Sequence, residues 1–251
     1  MEISLASIVQ FCDTCVNREA IVDLSGAHNG LQFENSGKVY HIGAAVDASL
    51  ESIQLAIEHE VDFLIVHHGL FWRSPAPITG SRAQKYRLLI EHDIAVYSSH
   101  MPLDVHPTLG NNASIAALLG REVQLWTCPH NGCPVAAVVD WNRPRVDLEN
   151  RLHELFEHPV CMAFGPDMIE QAVIISGGGG EMMETFKGKN YHTLITGEGK
   201  QHHYIFAQEY GLNVYFCGHY ATEVFGVKNL AEQAAHTFGI PCTFLPTACP
   251  L

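Results

Sequence analysis

Two short segments of this chain are rich in side chains that ligate metals: Val66-His67-His68-Gly69 and Cys217-Gly218-His219-Tyr220-Ala221-Thr222-Glu223. Each directly follows an apolar run with strand character. Between them, behind another such run, lies Ser98-Ser99-His100-Met101-Pro102-Leu103-Asp104. Side chains at strand ends can converge on one point, so a fold could gather these imidazoles and carboxylates from distant positions. His219 and Glu223, four apart, share one face of a helix that starts after Gly218. His67 and His68 would point to opposite faces within a regular strand, a constraint that relaxes where the strand enters a turn at Gly69. Asp104 offers a carboxylate able to bridge two ions. Three histidines and two carboxylates form a mixed N/O donor set that suits Zn, Mn, Fe, Co or Ni and differs from a closed Cys-rich structural zinc site. Two ions about 3.5–4 Å apart polarise a substrate oxygen and bring the pKa of a shared water from about 16 toward 7. That is hydrolase chemistry. An isolated His-His pair, and a His/Glu pair four apart on a helix, are also common as plain surface features, so spacing alone leaves both readings open.

Other candidates are weaker. Gly177-Gly178-Gly179-Gly180, after a strand and before a helix, could cradle a phosphate through backbone N–H groups, but it lacks the Lys-Ser/Thr of a P-loop. A tight turn that lets helix and strand pack closely is the better reading. His202 and His203 fall inside a helix, pointing in different directions, and read as surface or interface residues. Glu198 either lines a cleft or complements a helix N-terminus. Cys12 and Cys15 form a Cys-x-x-Cys pair inside an N-terminal amphipathic helix with no second pair at zinc-ribbon spacing, so they read as ordinary, partly buried thiols. Cys128 and Cys133 bracket a turn, Pro129-His130-Asn131-Gly132.

The elements that must position these residues are legible as alternating strands and helices. Helical spacing runs over 3–16, and Asn29-Gly30 reads as a turn into extended chain. Val39–Val46 is a strand, and Ser49–His59 a helix with Ser49 as N-cap. Asp62–Val66 is a nearly unbroken apolar strand of the kind buried on both faces of a parallel sheet. A helix over 82–91, a strand over 94–98 and an Ala/Leu-rich helix between Gly110-Asn111-Asn112 and Gly120 follow. The second half repeats the scheme, with strands at 172–176, 192–196 and 213–217 and helices at 182–187 and 202–210. Val66-His67-His68-Gly69 aligns with Thr196-Gly197-Glu198-Gly199, and the stretch 98–104 with 217–223. The repeat is interrupted mainly by an insertion at Phe71-Trp72-Arg73-Ser74-Pro75-Ala76-Pro77. Between the halves, 134–139 reads as a strand and 147–157 as a helix. This order defines an α/β fold with two pseudo-duplicated units and mixed, mainly parallel sheets flanked by helices, in which ligands bind beyond the carboxyl ends of the strands. The expected division is 1–124 plus 241–251 for a first α/β domain and 125–240 for a second, with no third domain inserted.

The bulk composition narrows the function classes. With 251 residues, the chain is long enough for a substantial core. Fourteen Lys and Arg against 27 Asp and Glu give a formal charge of -13, which argues against non-specific binding to nucleic acid or to anionic membranes. No apolar run approaches the roughly 20 residues of a membrane span. The first ten residues lack a basic n-region, so the expected location is cytoplasmic and the eight cysteines are expected as reduced thiols. Sixteen histidines favour metal chemistry, since neutral imidazole is the commonest metal ligand.

Read in order, Asn29-Gly30-Leu31-Gln32, Val66-His67-His68-Gly69 with Phe71-Trp72, His100-Met101-Pro102-Leu103-Asp104, Gly110-Asn111-Asn112, Thr196-Gly197-Glu198 with His202-His203, and Gly218-His219-Tyr220-Ala221-Thr222-Glu223 resemble the NGG-interacting-factor-three-like family. Bacterial members of that family carry the label type 2 GTP cyclohydrolase I homologue. The resemblance runs from about Asn29 to Phe244. It implies two divalent metal ions per chain on His67, His68, Asp104, His219 and Glu223, with His100 beside them to orient substrate or shuttle a proton. It also implies two interlinked α/β domains and a toroidal homohexamer, a trimer of dimers. The label implies attack of metal-activated water on C8 of a guanine ring, with loss of formate. Two classes of function stay open. One is a metal-dependent hydrolase of a small nucleotide or pterin-like metabolite. The other is a non-enzymatic metal-handling chaperone, regulator or ring-forming assembly factor.

Overall fold

A computed structural model of the chain describes residues 2–72, 77–130, 132–186, 188–247 and 249–250. The middle of the insertion after Trp72, the turn residue Asn131 and the expected helix end at Lys187 lie outside the described residues. In chain order the elements are β1 (Ile3–Ser4), α1 (Leu5–Cys15), β2 (Gly30–Phe33), β3 (Lys38–Val39), β4 (Ile42–Asp47), α2 (Leu50–Glu58), β5 (Phe63–His68), α3 (Gly80–Glu91), β6 (Ala95–Ser98), α4 (Met101–Asp104), α5 (Asn111–Leu118), β7 (Val123–His130), β8 (Cys133–Pro144), α6 (Arg145–Leu155), β9 (Val160–Ala163), β10 (Met168–Ile175), β11 (Thr193–Thr196), α7 (Gln201–Tyr210), β12 (Asn213–Phe216), α8 (His219–Phe238) and β13 (Cys242–Phe244). Contacts group residues 1–103 and 226–248 into one unit and residues 104–225 and 249–251 into another.

The first unit is built on a five-stranded sheet of order β13-β4-β5-β6-β2, in which only β2 runs antiparallel to its neighbour. Its central strands are apolar until their carboxyl ends, at Asp47, His67-His68 and Ser98, because both faces are covered. Phe63 and Ile65 of β5 face a cluster with Ile8 and Cys12 of α1 and Val227, Leu230 and Ala234. Leu64 and Val66 face the opposite cluster, with Ile53 and Ala56 of α2 and Leu89 of α3. Each such fully buried aliphatic side chain stabilises the fold by roughly 1.5–3 kcal/mol relative to exposure. Helix α2 starts where expected: the Ser49 side chain accepts from Ser52 N at 3.0 Å while Ser52 Oγ accepts from Ser49 N at 2.9 Å, a reciprocal cap.

The second unit is a six-stranded sheet of order β7-β8-β10-β11-β12-β9. Strands β10, β11 and β12 are parallel, the β7–β8 hairpin extends one edge, and β9 closes the other antiparallel to β12. Its core joins Ile174, Ile195 and Tyr215 of the parallel strands to Ile115 of α5, to Leu119 at its end, and to Leu148 and Leu152 of α6. Both units therefore repeat one arrangement, three parallel strands joined by helical crossovers, as the order of elements implied.

Several boundaries differ from the sequence reading, most of them by a few residues at an element's end. The apolar run Val39–Val46 is two strands. Val39 pairs with Ile3 of β1, whereas Ile42 pairs with Phe63 of β5, and between them Tyr40 N and His41 N donate to the Asp62 carboxylate at 2.9–3.2 Å. The first helix begins at Leu5 rather than Ile3, because Ser4 caps it by accepting from Ser7 N. The segment expected as a helix over 182–187 is a 3-10 helix that starts at Gly179. His67 and His68 are the last two residues of β5 rather than turn residues beyond it, with Asp47 of β4 opposite His68.

Candidate metal centre

In the first unit the carboxyl ends of β4, β5 and β6 put Asp47, the pair His67-His68, and Ser99-His100 side by side. The ring centroids of His67 lie 4.8 Å from those of both His68 and His100, and His68 to His100 is 5.6 Å. One ring nitrogen from each of the three lies within 4.8 Å of the others. The outer contacts decide which nitrogen is on offer. His67 Nδ1 is 3.0 Å from the Ser99 carbonyl, His68 Nδ1 is 2.9 Å from Asp47 Oδ1, and His100 Nδ1 is 2.8 Å from Asp23 Oδ1. A carbonyl or a carboxylate only accepts, so in each neutral ring Nδ1 carries the hydrogen and Nε2 presents its lone pair. This is the outer-contact pattern found on metal-ligating histidines. The Trp72 ring stands edge-on to His68 at 5.7 Å and to His100 at 4.7 Å, forming a wall beside the three imidazoles.

Asp23 was not visible as a site residue in the sequence. Its side chain is 5% exposed. Burial alone would raise its pKa, yet hydrogen bonds from His100, Asn29 and Leu24 N, with the His100 charge, lower it to about 2. Gln32 is a second supporting residue. Its Oε1 accepts from Leu70 N at 2.6 Å and its Nε2 donates to His28 O at 2.5 Å. A Cβ at Gly69 would run into that amide, which explains the glycine after the histidine pair.

In the second unit the first turns of α8 present His219 and the buried Glu223 together: His219 Nε2 is 3.2 Å from Glu223 Oε1, and His219 Nδ1 is 3.2 Å from Glu198 Oε1. Burial lowers the pKa of His219, but Glu223 and Glu198 outweigh it and raise the value to about 9. Carboxylates that favour a proton at this imidazole equally favour a cation. Glu198 therefore stands beside His219; α7 begins at Gln201 with Lys200 as its cap, so Glu198 is not in its first turn. Asp104 is oriented through Oδ1, which accepts from Asn111 Nδ2 and from Ser176 Oγ, both at 2.8 Å. Asn112, fully buried, accepts from Ser176 N at 2.7 Å and donates to Val135 O at 2.9 Å. The Gly110-Asn111-Asn112 motif is thus a support for Asp104.

The glycine run is a packing device. Gly177 N donates to Thr222 Oγ1 and Gly179 N to Thr196 Oγ1, both at 3.0 Å, so these two groups are spent within the fold and not held for a phosphate. His202 and His203 differ from the expectation of two surface residues, since His203 is buried. They lie with Glu181, whose Oε1 is 3.5 Å from Nε2 of each and 2.8 Å from Lys200 Nζ. The group has metal-donor residue types, but His203 Nδ1 accepts from Lys200 N at 2.9 Å. Its hydrogen must therefore sit on Nε2, the reverse of His67, His68 and His100. Nε2, 3.5 Å from Glu181 Oε1, then carries a hydrogen and has no lone pair to offer a cation.

These features define a mixed α/β protein in which strand-end histidines, tautomerically set for ligation, and a helical His/Glu pair offer donors that could hold divalent metal. The chain belongs to the Duf34/NIF3 (NGG1p interacting factor 3) family, whose model matches residues 3–250. A protein of Deinococcus radiodurans named "GTP cyclohydrolase 1 type 2 homolog" is 39% identical over 86% of this chain and 84% of its own length. An Archaeoglobus fulgidus protein of the same name is 33% identical over 96% and 97%. The crystal structure of a Thermus thermophilus protein superimposes with a TM-score of 0.89 at 35% identity, covering 99% of this chain and all of the other. Among the described residues no helix is long and apolar enough to cross a membrane.

Proposed function

We propose that this protein is a divalent-metal-dependent hydrolase of a small nucleotide or pterin-like metabolite, holding two ions per chain through His67, His68, Asp104, His219 and Glu223. The observation that carries the reading is the shared orientation of the His67 and His68 imidazoles, whose Nδ1 atoms both face pure acceptors and so leave Nε2 for a cation. The Glu223 carboxylate, 3% exposed and 3.2 Å from His219, supports it by setting an oxygen donor beside an imidazole, the mixed N/O pairing that suits a divalent transition metal. The relatives' shared name supports the substrate class. Bound ions would supply a water acidic enough to lose its proton near neutral pH.

The residues around the ions carry the remaining work. Ser99 O and Asp47 fix the His67 and His68 rings, Ser176 and Asn111 fix the Asp104 carboxylate, and Glu198 adds negative charge behind His219. His100 receives a hydrogen bond from a substrate or water group next to the histidine pair, and the edge of Trp72 excludes solvent on that side. Assembly into a homohexamer belongs to the same proposal. Elemental analysis of the purified protein, with a hydrolysis screen over nucleotides and pterins for wild type and His68→Ala, tests it. Two ions per wild-type chain, with fewer ions and lost turnover in His68→Ala, are expected. Full metal content in the variant sinks the ligand set; retained metal with no turnover on any substrate returns the protein to a metal-handling role. Light scattering checks the hexamer.

A further inference from the structure

Asp23, Asn29 and His100 close a ring of hydrogen bonds within the first unit, at separations of 6, 71 and 77 residues along the chain. His100 N donates to Asn29 Oδ1 at 2.8 Å, Asn29 Nδ2 donates to Asp23 Oδ2 at 2.8 Å, and His100 Nδ1 meets Asp23 Oδ1 at 2.8 Å. Two backbone groups complete the set: Leu24 N donates to Asp23 Oδ1 at 2.6 Å and Met101 N to Asp23 Oδ2 at 2.9 Å. Both oxygens of a nearly buried carboxylate are thus committed as acceptors. Backbone and ring of His100 are fixed from the same two side chains.

We propose that Asp23 and Asn29 are positioning residues that lock His100 in its Nδ1–H tautomer, so that Nε2 stands beside His67 and His68 as a hydrogen-bond acceptor for a proton-bearing oxygen or nitrogen of substrate or of a bound water. The device is specific to a carboxylate at 23. An amide there keeps its oxygen for Asn29 and Met101 N, turns its NH2 toward His100 Nδ1, and drives the imidazole hydrogen onto Nε2, converting the acceptor into a donor. In catalytic Ser-His-Asp triads the same exchange acts through the wrong tautomer while leaving the geometry in place.

The proposal rests on His67 and His68 being the adjacent ligands, but its test does not. Long-range 1H–15N correlation spectra of metal-free, 15N-labelled protein report the hydrogen position on each histidine, with His100→Ala giving the assignment. The expected result is Nδ1–H for His100 in wild type and Nε2–H in Asp23→Asn. Zinc content per chain is expected to be the same in His100→Ala as in wild type. A wild-type His100 carrying its hydrogen on Nε2 overturns the proposal without any variant having to fold. An unchanged tautomer in Asp23→Asn, or loss of a zinc ion in His100→Ala, overturns it as well, the latter by making His100 a ligand. Wild-type protein that binds no zinc yet shows the Nδ1–H signal refutes the ligand assignment and leaves the dyad standing.

Discussion

Gly177 lies so close to Glu223 that a single methyl group at position 177 would meet the Glu223 carboxylate, and its backbone sits in the left-handed region at φ +60. The glycine run after β10 is therefore tied to one acidic side chain on α8.

Gly177→Ala is expected to lose about 1–2 kcal/mol from backbone conformation alone, plus the cost of displacing Glu223. Gly239→Ala, at φ +66 with nothing within 4 Å of the added carbon, isolates the conformational part. Urea unfolding of both variants separates the two contributions. A Gly177→Ala protein no less stable than Gly239→Ala contradicts the close approach.

Asn112→Ala removes two buried hydrogen bonds, from Ser176 N and to Val135 O. Leaving those backbone groups without partners costs about 1–3 kcal/mol each. The variant should unfold several degrees below wild type. Ser176→Ala, which takes away one of the bonds that orient Asp104, should cost less stability while weakening metal binding, read by competition with a chromophoric chelator.

The Asp23 carboxyl has a pKa near 2 against an ordinary 3.8. Burial acts to raise it, and the hydrogen bonds and charge of its neighbours win. A folded value below the unfolded one means that the ionised group adds stability at all pH values above about 4, and that this is lost as pH falls through 2. The shift corresponds to about 2 kcal/mol. Melting temperature measured from pH 6 to pH 2 should fall more steeply in wild type than in Asp23→Asn; parallel curves would show that the carboxyl is not stabilised in the folded state.

Burial raises the pKa of Cys12, and pushes that of Cys217 up to about 12. Burial also raises the pKa of Cys15, and a thiol kept protonated is a poor nucleophile, in keeping with Cys12 and Cys15 as ordinary thiols. Iodoacetamide at neutral pH should label the exposed Cys161 and Cys249 and spare Cys12 and Cys217, as mass spectrometry of the native protein would show.

The sequence by itself determined the elements whose signal is local. Ser49 caps α2 because a hydroxyl three residues from Ser52 can reach its N–H, and β5 reads as a buried strand because every position from Phe63 to Val66 is apolar. His219 and Glu223 meet on α8 because helical periodicity puts residues four apart on one face. The tertiary structure alone decided the rest. Asp23 and His100 are 77 residues apart, Asn112 and Ser176 are 64 apart, and His68 finds Asp47 across 21 residues. No period in the chain encodes such pairings, which follow from strand order and register. The same holds for tautomers. His67 and His203 are each one of an adjacent histidine pair, yet one Nδ1 faces a carbonyl and the other a backbone N–H. That difference, invisible in residue types, separates a ring able to hold a cation from a ring that donates.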